Sequence, residues 1–455
     1  MFFLVYGKNR VMIKKLVKKI MPGFIIGWYH FLVAFFGALT CGFPSRKIKV
    51  IGITGTNGKT TTATLMAAVL ETAGYKVAVA SSIKFKIGNK EKENTLKMTM
   101  PGRAILQKFL REAVKAKCDY AIIEATSEGV LQHRHRFINW QIMIFTNLSP
   151  EHIERHKGFE NYKKAKGEYF ELCKNIHIIN SDDANAEYFL QFPSQQKFLF
   201  SLNLDLLNTS LLKSREVLTP RVVFGENVKE EKDGLYFDIQ NKNFYLPLIG
   251  KFNVYNALAA VCLGLSQGVS LEICQKALAK ADGAPGRMEE VIKWPFKVIV
   301  DYAFTPNALE QVYQSLKPKQ ESQKLICLLG ACGGGRDKWK RPVLGQIAAK
   351  YCDEIIITNE DPYDENPMDI INQVAQGTKR EEGAKLLPER KELRSFLILD
   401  RRAAIRKALE LAKAGDIVVA TGKGCEPWIC QTNGRKIPWD DRQVAREEFQ
   451  AIYKK

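Results

Sequence analysis

Several features that a chain of 455 residues could carry are missing here. There are ten cysteines but no C-x-x-C, and the closest pairs, Cys327/Cys332 and Cys425/Cys430, are each five apart. That spacing argues against a zinc ribbon, and scattered thiols suit a reducing cytoplasm. No C2H2 or helix-turn-helix signature occurs, and no aromatic-basic RNA motif, so nucleic acid is not an expected partner. No internal repeat or low-complexity segment stands out. Acidic residues are wholly absent from residues 1–49, which hold nine Lys/Arg. The net charge of +19 is therefore partly local, and it suits an anionic membrane or an anionic small molecule.

The stretch that organises the rest is KIKVIGITGTNGKTTT, Lys47 to Thr62. Ile48 to Ile53 is an apolar run with the character of a buried parallel strand. A turn with two glycines follows, then Lys59 with three threonines, then a helical pattern from Ala63 to Ala73. Strand, glycine turn, Lys-Thr and helix form the context of a phosphate-binding loop. Gly55 and Gly58 let backbone N–H groups approach phosphate oxygens, and the helix N-terminus adds partial positive charge. Lys59 can reach the β- and γ-phosphates, and the Thr60 hydroxyl can hold Mg²⁺. The spacing is shorter than G-x-x-x-x-G-K-[ST]: only Gly55-x-x-Gly58-Lys59-Thr60 is present.

Ahead of this loop, residues 1–21 alternate basic and apolar side chains, Pro22-Gly23 interrupts, and Phe24 to Phe43 is almost wholly apolar. That run is about long enough to span a bilayer. Trp28 and Tyr29 suit an interface, and the flanking lysines suit anionic lipid. The expectation is a membrane-associated helix, spanning or lying in the interface. The competing reading is a helix packed on the catalytic domain or at a dimer contact. No small-residue cleavage site marks a removed signal.

From Ile48 onward the pattern is α/β. Strands are expected at Val77–Ser81, Tyr120–Ile123, Ile142–Asn147 and Ile176–Asn180, with helices such as Gly102–Ala116 and Tyr162–Cys173 between them. This predicts a doubly wound sheet with the loop after its first strand. Residues 197–247 carry short alternating runs, including Val222-Val223-Phe224, and predict antiparallel strands. A helix is expected over Gly250–Gly268. Asp282-Gly283-Ala284-Pro285-Gly286 is turn-rich. A second, Rossmann-like α/β pattern follows, with strands at Lys297–Asp301, Lys324–Gly330, Glu354–Thr358 and Asp416–Ala420. The predicted division is therefore 1–46, a basic and apolar helical segment; 47–283, a P-loop ATP-binding domain; and 284–455, a C-terminal domain.

Residues with chemistry gather at predicted strand ends. Glu124 closes YAIIE and is positioned to ligate Mg²⁺. His152 lies just past the strand ending Thr146-Asn147, where a metal or phosphate role competes with a structural one. Gly333-Gly334-Gly335-Arg336-Asp337-Lys338 follows LICLLG and suggests a phosphate or carboxylate cradle. Gly422-Lys423-Gly424 follows DIVVA. Two α/β domains with such loops imply a cleft between them. Lys166 is, from its own surroundings, one of several helical lysines.

Taken together these motifs resemble the Mur ligase family, closest to the MurE type. The resemblance rests on TGTNGKTTT at 54–62, Glu124, TNLSPEHIERH at 146–156, YKKAK at 162–166 and GKFNVYNALAA at 250–260. In the second half it rests on APGRMEEV at 284–291, DYAFTPNALE at 301–310, GGGRDKWKRP at 333–342, TNEDPYDENP at 358–367 and GKGCE at 422–426. It implies an ATP- and Mg²⁺-dependent amide ligase of peptidoglycan precursor synthesis. Such an enzyme joins an amino acid to a muropeptide carboxylate through an acyl phosphate.

By motif match, Gly55, Thr56, Asn57, Gly58, Lys59, Thr60 and Thr61 bind ATP. Asn256 contacts adenine, and Arg287 and Asp301 lie near the nucleotide. Thr60, Glu124, His152 and a carbamylated Lys166 serve Mg²⁺, with Lys59, Lys166, Glu124 and His152 the catalytic set. Thr99, Arg103, Arg336, Asp361, Tyr363, Gly422 and Glu426 bind substrate.

Three departures from the MurE pattern bear on substrate. The N-terminal domain that holds the UDP moiety has no counterpart in residues 1–46, so a lipid-linked acceptor at the inner face of the cell membrane is an alternative. Glu360-Asp361-Pro362-Tyr363 replaces D-N-P-R and lacks the arginine that selects diaminopimelate, so lysine is an alternative amine. Phe304, Asn307 and Cys425 stand where His, Asp and His are usual. A poly-γ-glutamate-type ligase is a rival reading. So is a partner-dependent Mur-like subunit, although its four-cysteine insert is absent.

Overall fold

The computed structural model describes residues 23–203, 220–318, 320–379 and 394–453. The basic and apolar alternation of residues 1–21 lies outside them. The apolar run forms one helix, α1 (Gly23–Cys41). Its small residues face inward: Ala34 and Ala38 are buried, and a Cβ on Gly37 would stand 3.3 Å from the Ala104 Cα. The partner is α3 (Arg103–Lys115). The helix thus packs on the catalytic body, as the competing reading held. Among the described residues no helix is long and apolar enough to cross a membrane, which removes the spanning reading.

The central unit is built on nine strands: β1 (Lys49–Thr54), β2 (Val77–Ala80), β3 (Lys84–Ile87), β4 (Lys90–Glu93), β5 (Tyr120–Glu124), β6 (Trp140–Phe145), β7 (Ile176–Asn180), β8 (Gln196–Ser201) and β9 (Arg221–Phe224). Their order is β4-β3-β2-β5-β1-β6-β7-β8-β9. β2, β5, β1, β6, β7, β8 and β9 run parallel, and β3 and β4 add an antiparallel edge. β1 sits in the middle with five of its six residues buried, which is why it reads as an uninterrupted apolar run. Helices α2 (Lys59–Thr72), α3, α4 (Phe159–Leu172), α5 (Phe252–Ser266) and α6 (Leu271–Leu278) flank it. Two apolar cores result, one on each face.

Two expectations need correction here. Val222–Phe224 belongs to β9, which extends the main sheet in parallel with β8 rather than joining an antiparallel set. Only β10 (Glu226–Glu230), β11 (Leu235–Ile239) and β12 (Lys242–Leu246) are antiparallel. Local alternation cannot tell a parallel edge strand from a hairpin strand, because both leave one face half-exposed. The helix after the phosphate loop also begins earlier than expected, at Lys59 itself, with Gly58 as its N-cap at φ 82°.

The C-terminal unit has a six-stranded sheet of β13 (Glu289–Ile292), β14 (Lys297–Val300), β15 (Leu325–Leu329), β16 (Glu354–Thr358), β17 (Arg394–Ile398) and β18 (Ile417–Ala420). Its order is β13-β14-β18-β15-β16-β17, and only β13 is antiparallel. Helices α7 (Pro306–Ser315), α8 (Lys340–Tyr351), α9 (Pro367–Gln376), α10 (Arg401–Leu411) and α11 (Asp441–Tyr453) cover its two cores. Ile249 and Phe252 of the central unit pack against one of these cores, so the two halves meet apolar surface to apolar surface.

Candidate active site

β1 carries the chain straight into the phosphate loop. Gly55 adopts φ 153°, and a Cβ there would collide with the Thr146 hydroxyl. A Cβ on Gly58 would stand 2.5 Å from Asn256 Oδ1. Both positions therefore require glycine for conformation and for space. The neighbouring strand end fastens the loop. Asn57 N donates to Asn147 Oδ1 at 2.9 Å, and Thr146 Oγ1 donates to the Asn57 carbonyl at 2.8 Å. The loop is pre-shaped by Thr146 and Asn147 rather than left to a ligand.

Side chains from several elements converge on the loop. Thr60 Oγ1 donates to Glu124 Oε1 at 2.9 Å, and Ser82 donates to the same carboxylate from both its N–H (2.9 Å) and its hydroxyl (3.0 Å). Lys59 Nζ donates to the carbonyls of Gly55 and Thr56, each at 2.9 Å. Lys166, fully enclosed on α4, donates to the Gly55 carbonyl at 2.8 Å and sits 4.8 Å above the Tyr162 ring. Burial, with Lys59 close by, holds the Lys166 amine well below its ordinary range. Burial likewise lowers Lys59, with Glu124 opposing. His152 adopts φ 57° at the start of the short helix Ile153–His156. Burial and then Arg336, Lys340, Lys166 and Lys59 push its imidazole down to about 2, so it is neutral at physiological pH.

The C-terminal unit closes the cavity. Its wall is Arg287, Asp301–Thr305 and Arg336, opposite Gly55–Thr61, Glu124, His152, Lys166 and Asn256. Thr305 Oγ1 donates to Asn57 Oδ1 at 3.2 Å, and Asn57 Nδ2 donates to Asn307 Oδ1 at 3.3 Å. Arg287 stacks on the Tyr302 ring at 4.2 Å. Asp301 accepts from the N–H groups of Met288 (2.7 Å) and Ala303 (2.6 Å), which orders the segment carrying Arg287. Asn256 accepts from Thr62 Oγ1 and donates to Asn253, both at 2.9 Å, and so braces the first turn of α2.

The remaining expected residues divide. Thr99 lines this cavity and accepts from Ser82 Oγ at 2.9 Å. Arg103 does not line it; its guanidinium donates to the Gln132 carbonyl at 2.8 Å and lies 5.9 Å from the Tyr29 ring of α1. Asp361 and Glu426 form a second, adjoining cluster with Lys97 and Lys423. Lys97 Nζ is 2.6 Å from Asp361 and 3.2 Å from Glu426, while Lys423 Nζ is 3.0 Å and 2.6 Å from the same two. Gly422 (φ 99°) abuts Glu360 there, and the Tyr363 ring lies against Gly334.

Sequence reasoning gave no role to Lys97, Glu151 or Lys340, and named Asp337 only within the glycine-rich cradle. Lys340 and Glu151 form an ion pair at 2.8 Å across the two units, both buried. Asp337 accepts from the N–H groups of Ile153 and Glu154, each at 3.1 Å, capping the helix behind His152. No local pattern announces these residues, because each partner comes from the other half of the chain.

The site fits Mg-ATP on its own chemistry. Among the described residues no group of three or more His, Cys, Asp and Glu converges to hold a metal alone. A hydroxyl, one carboxylate and a neutral imidazole beside a phosphate cradle suit Mg²⁺, which keeps waters and shares phosphate oxygens. Glu151 Oε2, at the cavity wall, is buried and has no hydrogen-bond partner among the described residues.

These features define a P-loop α/β protein with a cavity lined by both of its units. Family models narrow this: the Mur ligase middle domain matches residues 53–264, and the Mur ligase glutamate ligase domain matches residues 286–424. The UDP-N-acetylmuramoyl-L-alanyl-D-glutamate–2,6-diaminopimelate ligase of Syntrophomonas wolfei is 36% identical over 415 residues, 89% of this chain and 79% of that one. The UDP-N-acetylmuramyl-tripeptide synthetase of Roseiflexus sp. is 35% identical with the same coverage. A solved diaminopimelate ligase of the same name superposes with a TM-score of 0.57 at 30% identity, over 89% of this chain and 79% of that one. The chain belongs to the Mur ligase family and is an ATP-dependent ligase of that family's fold.

Proposed function

We propose that this protein joins an amino acid to the free carboxylate of a muropeptide, consuming Mg-ATP in the cytoplasm and forming ADP and phosphate. The observation that carries this reading is the convergence of Lys59, Thr60, Glu124, His152 and Lys166 opposite Arg287 and Arg336 across one interdomain cavity. In the first step the acceptor carboxylate attacks the γ-phosphorus, giving an acyl phosphate and ADP. In the second the amine attacks the acyl carbon and expels phosphate. Lys59, Arg287 and Arg336 neutralise the transferring phosphoryl group, while the loop N–H groups orient it. Thr60, Glu124 and His152 would hold Mg²⁺, which would supply positive charge to offset that of the phosphates.

Lys166 carries the less expected role. Burial lowers the amine's affinity for its proton, which favours the neutral form that adds CO₂ and releases a proton to give a carbamate, a group that would ligate Mg²⁺. Turnover should then fall in CO₂-depleted buffer and return with bicarbonate. Full activity without CO₂ would remove the carbamate from the account.

Asp361 and Glu426 surround ammonium groups in this fold, an environment suited to the amino group of the incoming amino acid. Tyr363 brings no charge for a distal carboxylate, which favours lysine over diaminopimelate. For the acceptor, Arg103 lies 5.9 Å from the Tyr29 ring of α1, and a muropeptide bound by it would be held close to α1, as a lipid-linked one would be. The experiment is phosphate release with Mg-ATP over a panel of UDP- and lipid-linked muropeptides crossed with lysine, diaminopimelate and other amines. Release that needs both a muropeptide and one amino acid supports the reading. Release with glutamate polymers alone, or with no pair, overturns it.

A further inference from the structure

α1 has two unlike faces. On the packed face Ala34 and Ala38 are buried, and Phe31 and Phe35 stack edge-on against Phe137. The other face carries Ile25, Trp28, Tyr29, Leu32, Phe36 and Leu39, all exposed; Trp28 is 63% and Phe36 54% accessible. Steps of three and four keep these side chains in one stripe along the helix. The helix itself contains no Asp, Glu, Lys or Arg. A row of large apolar groups open to water marks a surface that something covers.

The surrounding charge says what covers it. Residues 1–22 contribute six Lys/Arg, and Arg46, Lys47 and Lys49 follow the helix, with no acidic residue anywhere in 1–49. By sequence, residues 1–49 carry charge of one sign only, so a second copy docked on this stripe would set like charge against like charge. An anionic lipid surface would instead neutralise them and take the apolar side chains into its headgroup boundary. Trp28 and Tyr29 are the residue types that favour that depth. We infer that α1 docks flat on an anionic membrane, inserting this stripe while its opposite face stays packed on α3. The enzyme is then monotopic, held by two weak attractions that add.

The test is co-sedimentation of the full chain with phosphatidylcholine vesicles, with and without phosphatidylglycerol. Binding is expected only with phosphatidylglycerol, and high salt should weaken it. The double substitution Trp28→Ser/Phe36→Ser, at exposed positions, should lower binding roughly tenfold or more while the melting temperature and phosphate release stay unchanged. Replacing Lys14, Lys15, Lys18 and Lys19 together by Gln should abolish the preference for phosphatidylglycerol. No sedimentation with either vesicle, or equal binding by the double variant, would overturn the inference. A double variant that turns a dimer into a monomer, without any vesicle binding by the parent, would assign the stripe to a second copy instead.

Discussion

Lys166 and Lys97 are both enclosed lysines in adjoining parts of one cleft, yet their surroundings act on them in opposite directions. At the phosphate loop, Lys166 meets a backbone carbonyl and the neighbouring Lys59, and its amine is held well below the ordinary range by burial and by that like charge. At the second cluster, burial also disfavours the Lys97 charge, but Glu426 and Asp361 outweigh it and raise the amine above its ordinary range. The difference separates two uses of a buried lysine. Where carboxylates answer the charge, the lysine joins the two halves of the protein. Where they do not, the charged form is disfavoured, and the amine sits beside a loop shaped for phosphate.

Several substitutions would sharpen or break that contrast. The largest effect is expected from Lys59→Ala, which should lower phosphate release by roughly 10³-fold or more with the fold intact. Near-normal release would move the phosphate site elsewhere. Asp361→Ala should act on stability as well as on amine binding, because Lys97 and Lys423 would share one remaining carboxylate. A loss of about 3 kcal/mol in denaturant unfolding is expected, and an unchanged midpoint would show that the cluster does not join the halves.

Acid should weaken the same cluster. Burial raises the Glu426 carboxyl, but Lys423 and Lys97 together pull it down to about 2. In the unfolded chain it titrates near ~4.3. Protons therefore bind the unfolded state first, and the stabilisation present above ~4.3 is lost as pH falls toward 2. Glu426→Gln should flatten the acid limb of stability measured from about pH 6 to about pH 3; an identical slope would contradict the pairing. The smallest effect belongs to Thr305→Val, which removes one interdomain hydrogen bond to Asn57. A severalfold rise in KM for ATP, about 1 kcal/mol, is expected at unchanged kcat.

Much of the catalytic side was legible because it is local. Gly55, Gly58, Lys59 and Thr60 sit within six residues, and Glu124 closes an apolar strand whose burial the residues themselves announce. Helices and strands fell within a few residues of expectation for the same reason. The hairpin β3–β4 was missed although Gly88-Asn89 is a two-residue turn signal, because its strands are short and charged, β3 half-buried and β4 exposed. The interdomain pairs were beyond local reading. Lys97 meets Asp361 across 264 residues and Lys340 meets Glu151 across 189, and nothing near either lysine distinguishes it from a solvated one. α1 was ambiguous for a further reason. Composition reports how apolar a helix is, but not which of its faces finds a partner.

The central claim is that this cleft passes the γ-phosphoryl group of ATP to a carboxylate. It is tested most directly by labelling the acceptor carboxylate with ¹⁸O and examining the phosphate released in the complete reaction. The account predicts one ¹⁸O atom carried from the acceptor into inorganic phosphate, because the oxygen that attacks phosphorus leaves with it when the amine displaces it. Amide product formed with unlabelled phosphate would contradict the acyl phosphate and the reading of the cleft built on it.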